Sequence, residues 1–356
     1  MKKIRILVAE DFIDARESIV NALKKYELKR YENNESFKIE EAESFIQAKQ
    51  ILTESEKNKE PFDVFFCDLD FTEDEEGGER DSGFELIRLA FKICSITNIY
   101  TYSSQFNKPD LYGGHEELVS KGFVIKTFDK SHSEGGDPDW FNKNFAQLFT
   151  KLEKERYLNE IWANHELIKE KVRRINFSSD IKTSKFTTYE IIDNLNTILY
   201  LMRNRDKLQA DKVIYKLIIQ LYHRCLESFC LRDKDDSQIM SESEKNKVGL
   251  AKSLGKKSDW KLGDKVNALR TIAAHTDKNY SKFGYKVNFY RNNSVHPADD
   301  FAVGFCNVLF CNLALAVYAN DGSASGISFE EIRSIASKQK NDKGIKDLEE
   351  LFNYLK

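Results

Sequence analysis

Five short apolar runs, separated by amphipathic stretches, fill the first 130 residues of this 356-residue chain. An alternation of buried strands with crossover helices is typical of a parallel sheet covered by helices on both faces. The runs predict strands at residues 4–8, 36–41, 64–67, 98–102 and 123–128, and the stretches between them predict helices at 15–25, 44–55 and 83–94. The sequence therefore predicts a doubly wound α/β domain with a five-stranded parallel sheet.

Charged residues directly follow three of the predicted strands. Glu10 and Asp11 follow the first strand, Asp68 follows the third and Lys130 follows the fifth. Ligands and chemistry collect outside the carboxyl ends of the strands in such sheets, so we expect these side chains to converge. Repulsion among the carboxylates is relieved by a hard divalent cation with oxygen ligands. The sequence therefore predicts a Mg²⁺ site at this edge, with a lysine that offsets the charge of a phosphorylated aspartate.

Four segments around these strand ends resemble the receiver domain of two-component response regulators. They are ILVAEDF, DVFFCDLDF, SGFELIR and GFVIKTFDKS, and the resemblance covers about residues 1–135. It implies a flavodoxin-like fold, phosphorylation of Asp68, and a sensor histidine kinase or a phosphotransfer protein as partner. It also implies that Mg²⁺ is held by Asp68 together with Glu10, Asp11 and the backbone carbonyl of Asp70. The phosphoryl group would be contacted by Ser103 and Lys130.

The chain departs from the receiver pattern in two places. Fourteen residues separate Asp68 from Gly83, a longer loop than the family has, and beyond Asp70 six more acids lie in it: Glu73, Asp74, Glu75, Glu76, Glu79 and Asp81. These acids could recruit extra cations, repel a phosphodonor or stay solvated and mobile. Thr127 stands at the position of the family's aromatic switch residue, which bears on how a signal would leave the domain.

The formal net charge of −3 conceals two different halves. Residues 1–150 contain 20 Lys and Arg against 30 Asp and Glu, whereas residues 151–356 contain 35 against 28. A basic half suits a polyanionic partner, and equally a solvated surface of mixed charge. No window approaches 18 uncharged apolar residues, and the six cysteines lack the paired spacing of a zinc site. We therefore expect reduced thiols, no membrane segment and a cytoplasmic location.

Residues 136–176 are expected to form a helical connector after the receiver-like domain. Residues 140 to about 174 contain neither proline nor glycine, which predicts one long helix or two abutting helices. Phe141, Phe145, Leu148 and Leu152 form an apolar stripe that resumes, shifted, at Leu158. The stripe fits a signalling helix that pairs with its copy in a homodimer, or an amphipathic helix that packs on the receiver-like domain.

Helical periodicity dominates the rest of the chain. It predicts an all-α bundle at residues 177–322 and a C-terminal helical tail at 323–356. Helices are expected at residues 189–203, 211–231, 262–275 and 301–319, and the alternation at 285–290 predicts a short strand. The tail contains two further helical patterns, at 329–337 and 345–355.

One of the expected helices contains an Arg-x4-His element, Arg270 and His275. Together with the order of the helices, this element resembles the HEPN superfamily over about residues 185–320. The resemblance implies a homodimer and, as in many members, a metal-independent endoribonuclease in which both residues are catalytic. Histidine titrates near neutral pH and arginine binds phosphate through a planar fork, which suits RNA cleavage. Alternatively, Arg270 is a surface residue and His275 caps the helix end.

Three lysines ahead of this element surround Trp260: Lys256, Lys257 and Lys261. They form a phosphate-binding surface or a solvated linker. The whole sequence predicts a response regulator that is phosphorylated on Asp68 and controls a helical effector that cleaves RNA without a cofactor. The alternative is a regulator whose helical domain binds nucleic acid, as a transcription factor does, or a protein partner, without catalysis.

Overall fold

The computed structural model describes residues 3–31, 36–72, 78–79, 81–104, 108–130, 140–175, 177, 181–205, 211–231, 278–295, 303–319 and 342–355. Contacts divide the chain into two compact units, Met1–Arg156 and Tyr157–Lys356. None of the helices in these ranges combines the length and the apolar character that crossing a bilayer requires.

The first unit is built on five strands and five helices in the described ranges. The strands are β1 (Ile4–Ala9), β2 (Phe37–Ala42), β3 (Val64–Cys67), β4 (Asn98–Tyr102) and β5 (Val124–Phe128). The helices are α1 (Ile13–Tyr31), α2 (Phe45–Lys57), α3 (Ser82–Ile93), α4 (Pro109–Ser120) and α5 (Trp140–Glu155). The prediction of a five-stranded parallel sheet is confirmed, because all neighbouring strands pair in parallel in the order β2-β1-β3-β4-β5.

The register of the sheet places the carboxyl ends of four strands side by side. Ala9 of β1 pairs with Cys67 of β3, and Cys67 pairs with Thr101 of β4. Tyr102 at the end of β4 pairs with Phe128 at the end of β5. Residues that follow these strand ends therefore emerge along one edge of the sheet.

Alternate residues of each strand pack into two separate cores, one on each face of the sheet. Ile6, Val8 and Phe66 pack with residues of α1 and α5, whereas Leu7 and Phe65 pack with residues of α2, α3 and α4. The three inner strands β1, β3 and β4 are buried at every residue and read as continuous apolar runs, as strands of parallel sheets covered on both faces do. The edge strands β2 and β5 are buried only at their two ends.

The apolar stripe of α5 is buried inside the first unit. Phe149 stacks on Tyr26 of α1 and on Phe37 of β2, with ring centroids 5.2 and 4.7 Å apart. Phe145 contacts Tyr26 edge-on at 5.9 Å. This part of the connector therefore packs on the sheet domain, as in the second of the two alternatives, and its stripe is not free to pair with another copy.

In its described ranges, the regular elements of the second unit are all helices. They are α6 (Tyr157–Val172), α7 (Ile181–Arg203), α8 (Asp211–Leu231), α9 (Lys278–Val295), α10 (Phe305–Ala319) and α11 (Asp342–Leu355). The helix α7 begins eight residues earlier than the sequence indicated. The helices expected at 262–275 and 329–337 lie outside the described residues.

The prediction of a short strand at residues 285–290 is wrong, because this segment lies in the middle of α9. Phe283, Val287 and Tyr290 are buried at helical spacing, whereas Tyr285 and Phe289 are exposed. The alternating apolar residues thus lie on different sides of a helix. A run of six residues is too short to distinguish the strand period of two from the helix period of 3.6, so the longer helical pattern of buried residues determines the structure.

A fully buried polar network joins three helices of the second unit. The Nε2 atom of His165 on α6 lies 2.8 Å from the Tyr222 hydroxyl on α8, and the Asn312 amide on α10 donates to the same hydroxyl at 3.0 Å. Asn164 of α6 donates to the side-chain oxygen of Asn312 at 2.8 Å. Burial, and then the nearby charge of Lys169, hold the pKa of His165 well below its ordinary value. The imidazole is therefore neutral, so this network buries no charge on the histidine in the apolar core.

Candidate functional site

The strand ends bring three acids together at one edge of the sheet. Glu10 and Asp11 follow β1 and Asp68 follows β3, and one ligand atom from each lies within 4.8 Å of the other two. The neighbouring position of these ends is fixed by the backbone, because the Asp68 amide donates to the Ala9 carbonyl at 3.0 Å. The convergence expected from the sequence is present in the structure.

Lys130 joins this cluster from the end of β5. Its Nζ atom lies 2.5 Å from Oδ2 of Asp68 and 2.7 Å from Oε2 of Glu10, and all three residues are buried. Burial alone would lower the pKa of Lys130, but the charges of Asp68 and Glu10 outweigh it and raise the pKa. The lysine is thus a fixed positive charge between two carboxylates.

The burial and the charges of this cluster change the pKa of Glu10. Burial, followed by the negative charge of Asp68, raises its pKa above the ordinary range, and Lys130 opposes the shift only in part. A further positive charge at the site would oppose both causes and favour the ionised form of Glu10. Carboxylate oxygens at this spacing are the donors that a hard divalent cation prefers, so the donor set fits Mg²⁺. Such an ion would offset the remaining negative charge at the site.

The first turn of α3 packs closely against the backbone that follows β3. The Gly83 amide donates to the Leu69 carbonyl at 3.1 Å. A Cβ atom on Gly83 would lie 2.0 Å from the Asp68 carbonyl oxygen and 2.6 Å from the Leu69 Cα. Only a residue without a side chain lets the helix come this close to the backbone of Asp68.

The other residues expected at the site take the following positions. The Asp70 carboxylate accepts hydrogen bonds from the amide and the hydroxyl of Thr72, at 3.1 and 2.7 Å, and is not part of the acidic cluster. These hydrogen bonds involve the side chain, so the role of the Asp70 backbone carbonyl as a metal ligand stays a prediction. Ser103 is fully buried after β4, and its amide donates to the Phe128 carbonyl at 3.1 Å, which ties the ends of β4 and β5 together.

Two features near the site were not expected from the sequence. Arg16 is buried on α1 and donates to the Glu10 carbonyl at 2.8 Å. Thr127, at the predicted switch position, lies 2.8 Å from both the Thr101 hydroxyl and the Nε2 atom of His115 on α4. Burial lowers the pKa of His115. A polar contact between α4 and β5 is therefore present at this position.

The residues expected to act in the helical unit lie outside the described residues. They are Arg270 and His275 of the Arg-x4-His element and the three lysines Lys256, Lys257 and Lys261. The same holds for residues 73–77 and 80 of the acidic loop.

The fold and the site together define a class of module: a five-stranded parallel sheet with an acidic, lysine-containing centre at its carboxyl edge. A scan against protein-family models finds none that matches the chain, and a search of curated proteins finds no relative. The functional argument therefore rests on the geometry of the module.

The substitution Lys130→Met is expected to destabilise the first unit by about 3 kcal/mol in the absence of metal, because it leaves two buried carboxylates without their cation. Millimolar Mg²⁺ should recover part of this loss and shift the melting temperature of the variant more than that of the wild type. Thermal unfolding of the full chain with Mg²⁺ and with a chelator measures both effects.

Lys126→Met is the matched control. Lys126 lies on β5, four residues earlier, and its exposed ammonium donates to the side chain of Asn144. Its loss is expected to cost less than about 0.5 kcal/mol. Equal losses in the two variants would show that Lys130 holds no special place in the acidic cluster.

Proposed function

We propose that the first unit is a phosphoacceptor module of the receiver type, in which the Asp68 carboxylate takes up a phosphoryl group. The observation that supports this most directly is the Lys130 ammonium, which lies within hydrogen-bond distance of both Asp68 and Glu10 although the three residues follow three different strands. The strand order β2-β1-β3-β4-β5 is that of flavodoxin-like sheets, which bind their ligands at this edge.

Each residue has a defined part in the proposed transfer. One Asp68 oxygen attacks phosphorus, a new P–O bond forms, and the bond between phosphorus and the donor breaks with its electron pair leaving on the donor. Glu10, Asp11 and Asp68 would hold Mg²⁺ with the Asp70 carbonyl, and the ion supplies positive charge to the phosphoryl oxygens. Lys130 stays beside Asp68 and offsets the charge that the phosphoryl group adds. Ser103 would donate to a phosphoryl oxygen.

The partner implied by this chemistry is a phosphohistidine donor, a sensor histidine kinase or a phosphotransfer protein. The helical unit would then be the effector of a homodimeric response regulator. Its assignment as a HEPN-like endoribonuclease remains a prediction from the sequence, and so does the alternative of a regulator that binds nucleic acid or a protein without cleaving it.

Phosphoryl uptake is tested by incubating the full chain with acetyl phosphate and Mg²⁺ and measuring the intact mass. We expect one added phosphoryl group, which a chelator prevents and which alkaline hydroxylamine removes, since an acyl phosphate is labile to it. Beryllofluoride with Mg²⁺ should change the hydrogen exchange of β4 and α4. Absence of both the added mass and the exchange response would rule out a working phosphoacceptor.

A further inference from the structure

The first two turns of α7 expose apolar and cationic side chains side by side. Ile181, Phe186 and Tyr189 leave 70%, 69% and 64% of their surfaces exposed, and Lys182 and Lys185 are exposed among them. At about 100° per residue, the five side chains lie within an arc of about 140° on one side of the helix. Large side chains that are exposed in one contiguous stripe mark an interaction site rather than part of a core.

The end of the preceding helix adds further positive charge. Lys171 and Arg173 are exposed at the end of α6. Between residues 169 and 189 the chain contains six Lys and Arg against two acids. Within the part of the chain that the structure describes, Lys171, Arg173 and the two lysines of α7 form no ion pairs, whereas Arg174 is paired with Glu170. These four cations are therefore available to an anionic partner.

The corner between α6 and α7 is held in place by buried contacts. The Phe177 amide donates to the Ser184 hydroxyl at 3.0 Å, and the Phe177 ring packs edge-on against Phe229 of α8 at 5.8 Å. Because Ser184 is on the buried side of α7, this bond anchors the start of the helix and leaves Lys182 and Lys185 on its exposed side. Lys171 and Arg173 lie six and four residues before Phe177, so they add positive charge near the start of α7.

We propose that this basic-aromatic surface, formed by Lys171, Arg173, Lys182, Lys185, Phe186 and Tyr189, binds single-stranded nucleic acid. The four cations would contact phosphates, and the two rings would stack on bases. Phe186 and Tyr189 are three residues apart, so they are offset by about 4.5 Å along the helix axis, more than the rise of about 3.4 Å between stacked bases, which suits two neighbouring bases of an unstacked strand. A duplex offers no exposed base faces to such rings, which selects a single strand.

The arrangement of the lysines favours nucleic acid over a lipid surface. Helices that lie in a membrane interface have an apolar face with the basic residues on the opposite face or at its margins. On α7, Lys182 and Lys185 lie between Ile181 and Phe186 on the same arc. Inserting the rings into lipid would bury both ammonium groups, whereas a nucleic acid strand offers phosphates and bases side by side.

The test uses the full chain and a fluorescein-labelled oligouridine of about 15 nucleotides, followed by anisotropy. We expect saturable binding that weakens as salt rises. Charge reversal in the double variant Lys182→Glu/Lys185→Glu should weaken binding by at least about tenfold. Removal of the rings in Phe186→Ala/Tyr189→Ala should also weaken it by at least about tenfold, with less effect on the salt dependence. Circular dichroism checks that each variant is folded.

The control variant Lys24→Glu/Lys25→Glu makes the same charge change at exposed positions of α1. It should bind oligouridine within about twofold of the wild type, which separates the local surface from net charge. Equal binding by the wild type and the α7 variants would overturn the proposal, as would the absence of binding at low salt. Binding to phosphatidylserine vesicles but not to oligouridine would overturn it in favour of a lipid surface. The proposal does not depend on phosphorylation of Asp68, and each can fail without the other.

Discussion

Asp68→Asn is expected to abolish phosphoryl uptake from acetyl phosphate while leaving the first unit folded. An amide oxygen is a far weaker nucleophile than a carboxylate, because its lone pair is delocalised and it carries no charge. The fold should tolerate the change, since the amide oxygen can still accept the 2.7 Å hydrogen bond that the Leu69 amide donates to Asp68. Intact mass after incubation with Mg²⁺ and acetyl phosphate measures the uptake, and circular dichroism measures the fold.

Asp70→Asn provides the matched control for that variant. Asp70 is buried two residues away, but its carboxylate is bonded to Thr72 and takes no part in the acidic cluster. Its backbone carbonyl, the proposed ligand, is unchanged by the substitution. Uptake should therefore persist within several-fold of the wild type. If Asp68→Asn were labelled as fully as the wild type, phosphorylation would lie at another residue and the proposed role of Asp68 would be wrong.

The sheet could be predicted from the sequence largely because its three inner strands are buried on both faces. Val64–Cys67 and Asn98–Tyr102 are uninterrupted buried runs, and their bounds agree with the apolar segments of the sequence. Such runs need no register or partner to be recognised. The same argument places the acids, because a residue that directly follows a strand has little freedom to be elsewhere.

The sequence does not predict α4, and although it predicts the helix that contains α5, it leaves open what covers that helix. The helix α4 contains Gly113 and Gly114, and among its side chains that the structure describes Leu111, His115 and Leu118 are buried, so its apolar period is short and its propensity is low. The helix α5 has a clear stripe, but periodicity alone does not say which surface covers it. Its packing against Tyr26 and Phe37 is seen only in the tertiary structure.

The site shows the same division between local and tertiary information. Four site residues each follow a strand that the sequence predicts, and the structure brings them together: Glu10, Asp11, Asp68 and Lys130. The contact of Thr127 with His115 joins β5 to α4, and the sequence gives no period or motif for a hydrogen bond between such elements. Contacts of this kind follow only from the packing of helices on the sheet.

The substitution with the largest expected effect on the fold is Gly83→Ala. Its Cβ would stand 2.0 Å from the Asp68 carbonyl oxygen, a backbone atom that cannot rotate away as a side chain does. Helix α3 must then move off β3, or the strand end must shift. We expect a loss of about 3 kcal/mol or more, seen as faster hydrogen exchange of the β1 and β3 amides. Because the displaced backbone carries Asp68, phosphoryl uptake should fall as well.

Gly113→Ala separates this steric effect from the ordinary preference of helices for alanine. Gly113 also lies in a helix, α4, but a Cβ there would meet nothing within 4 Å. Because alanine is favoured over glycine inside a helix, the control should stabilise α4 by up to about 1 kcal/mol and leave phosphoryl uptake unchanged. Neither glycine has a positive φ, so backbone strain plays no part in the comparison. Opposite signs for the two variants are the expected result; a Gly83→Ala protein with wild-type exchange rates would mean that α3 does not pack against Asp68 as closely as described.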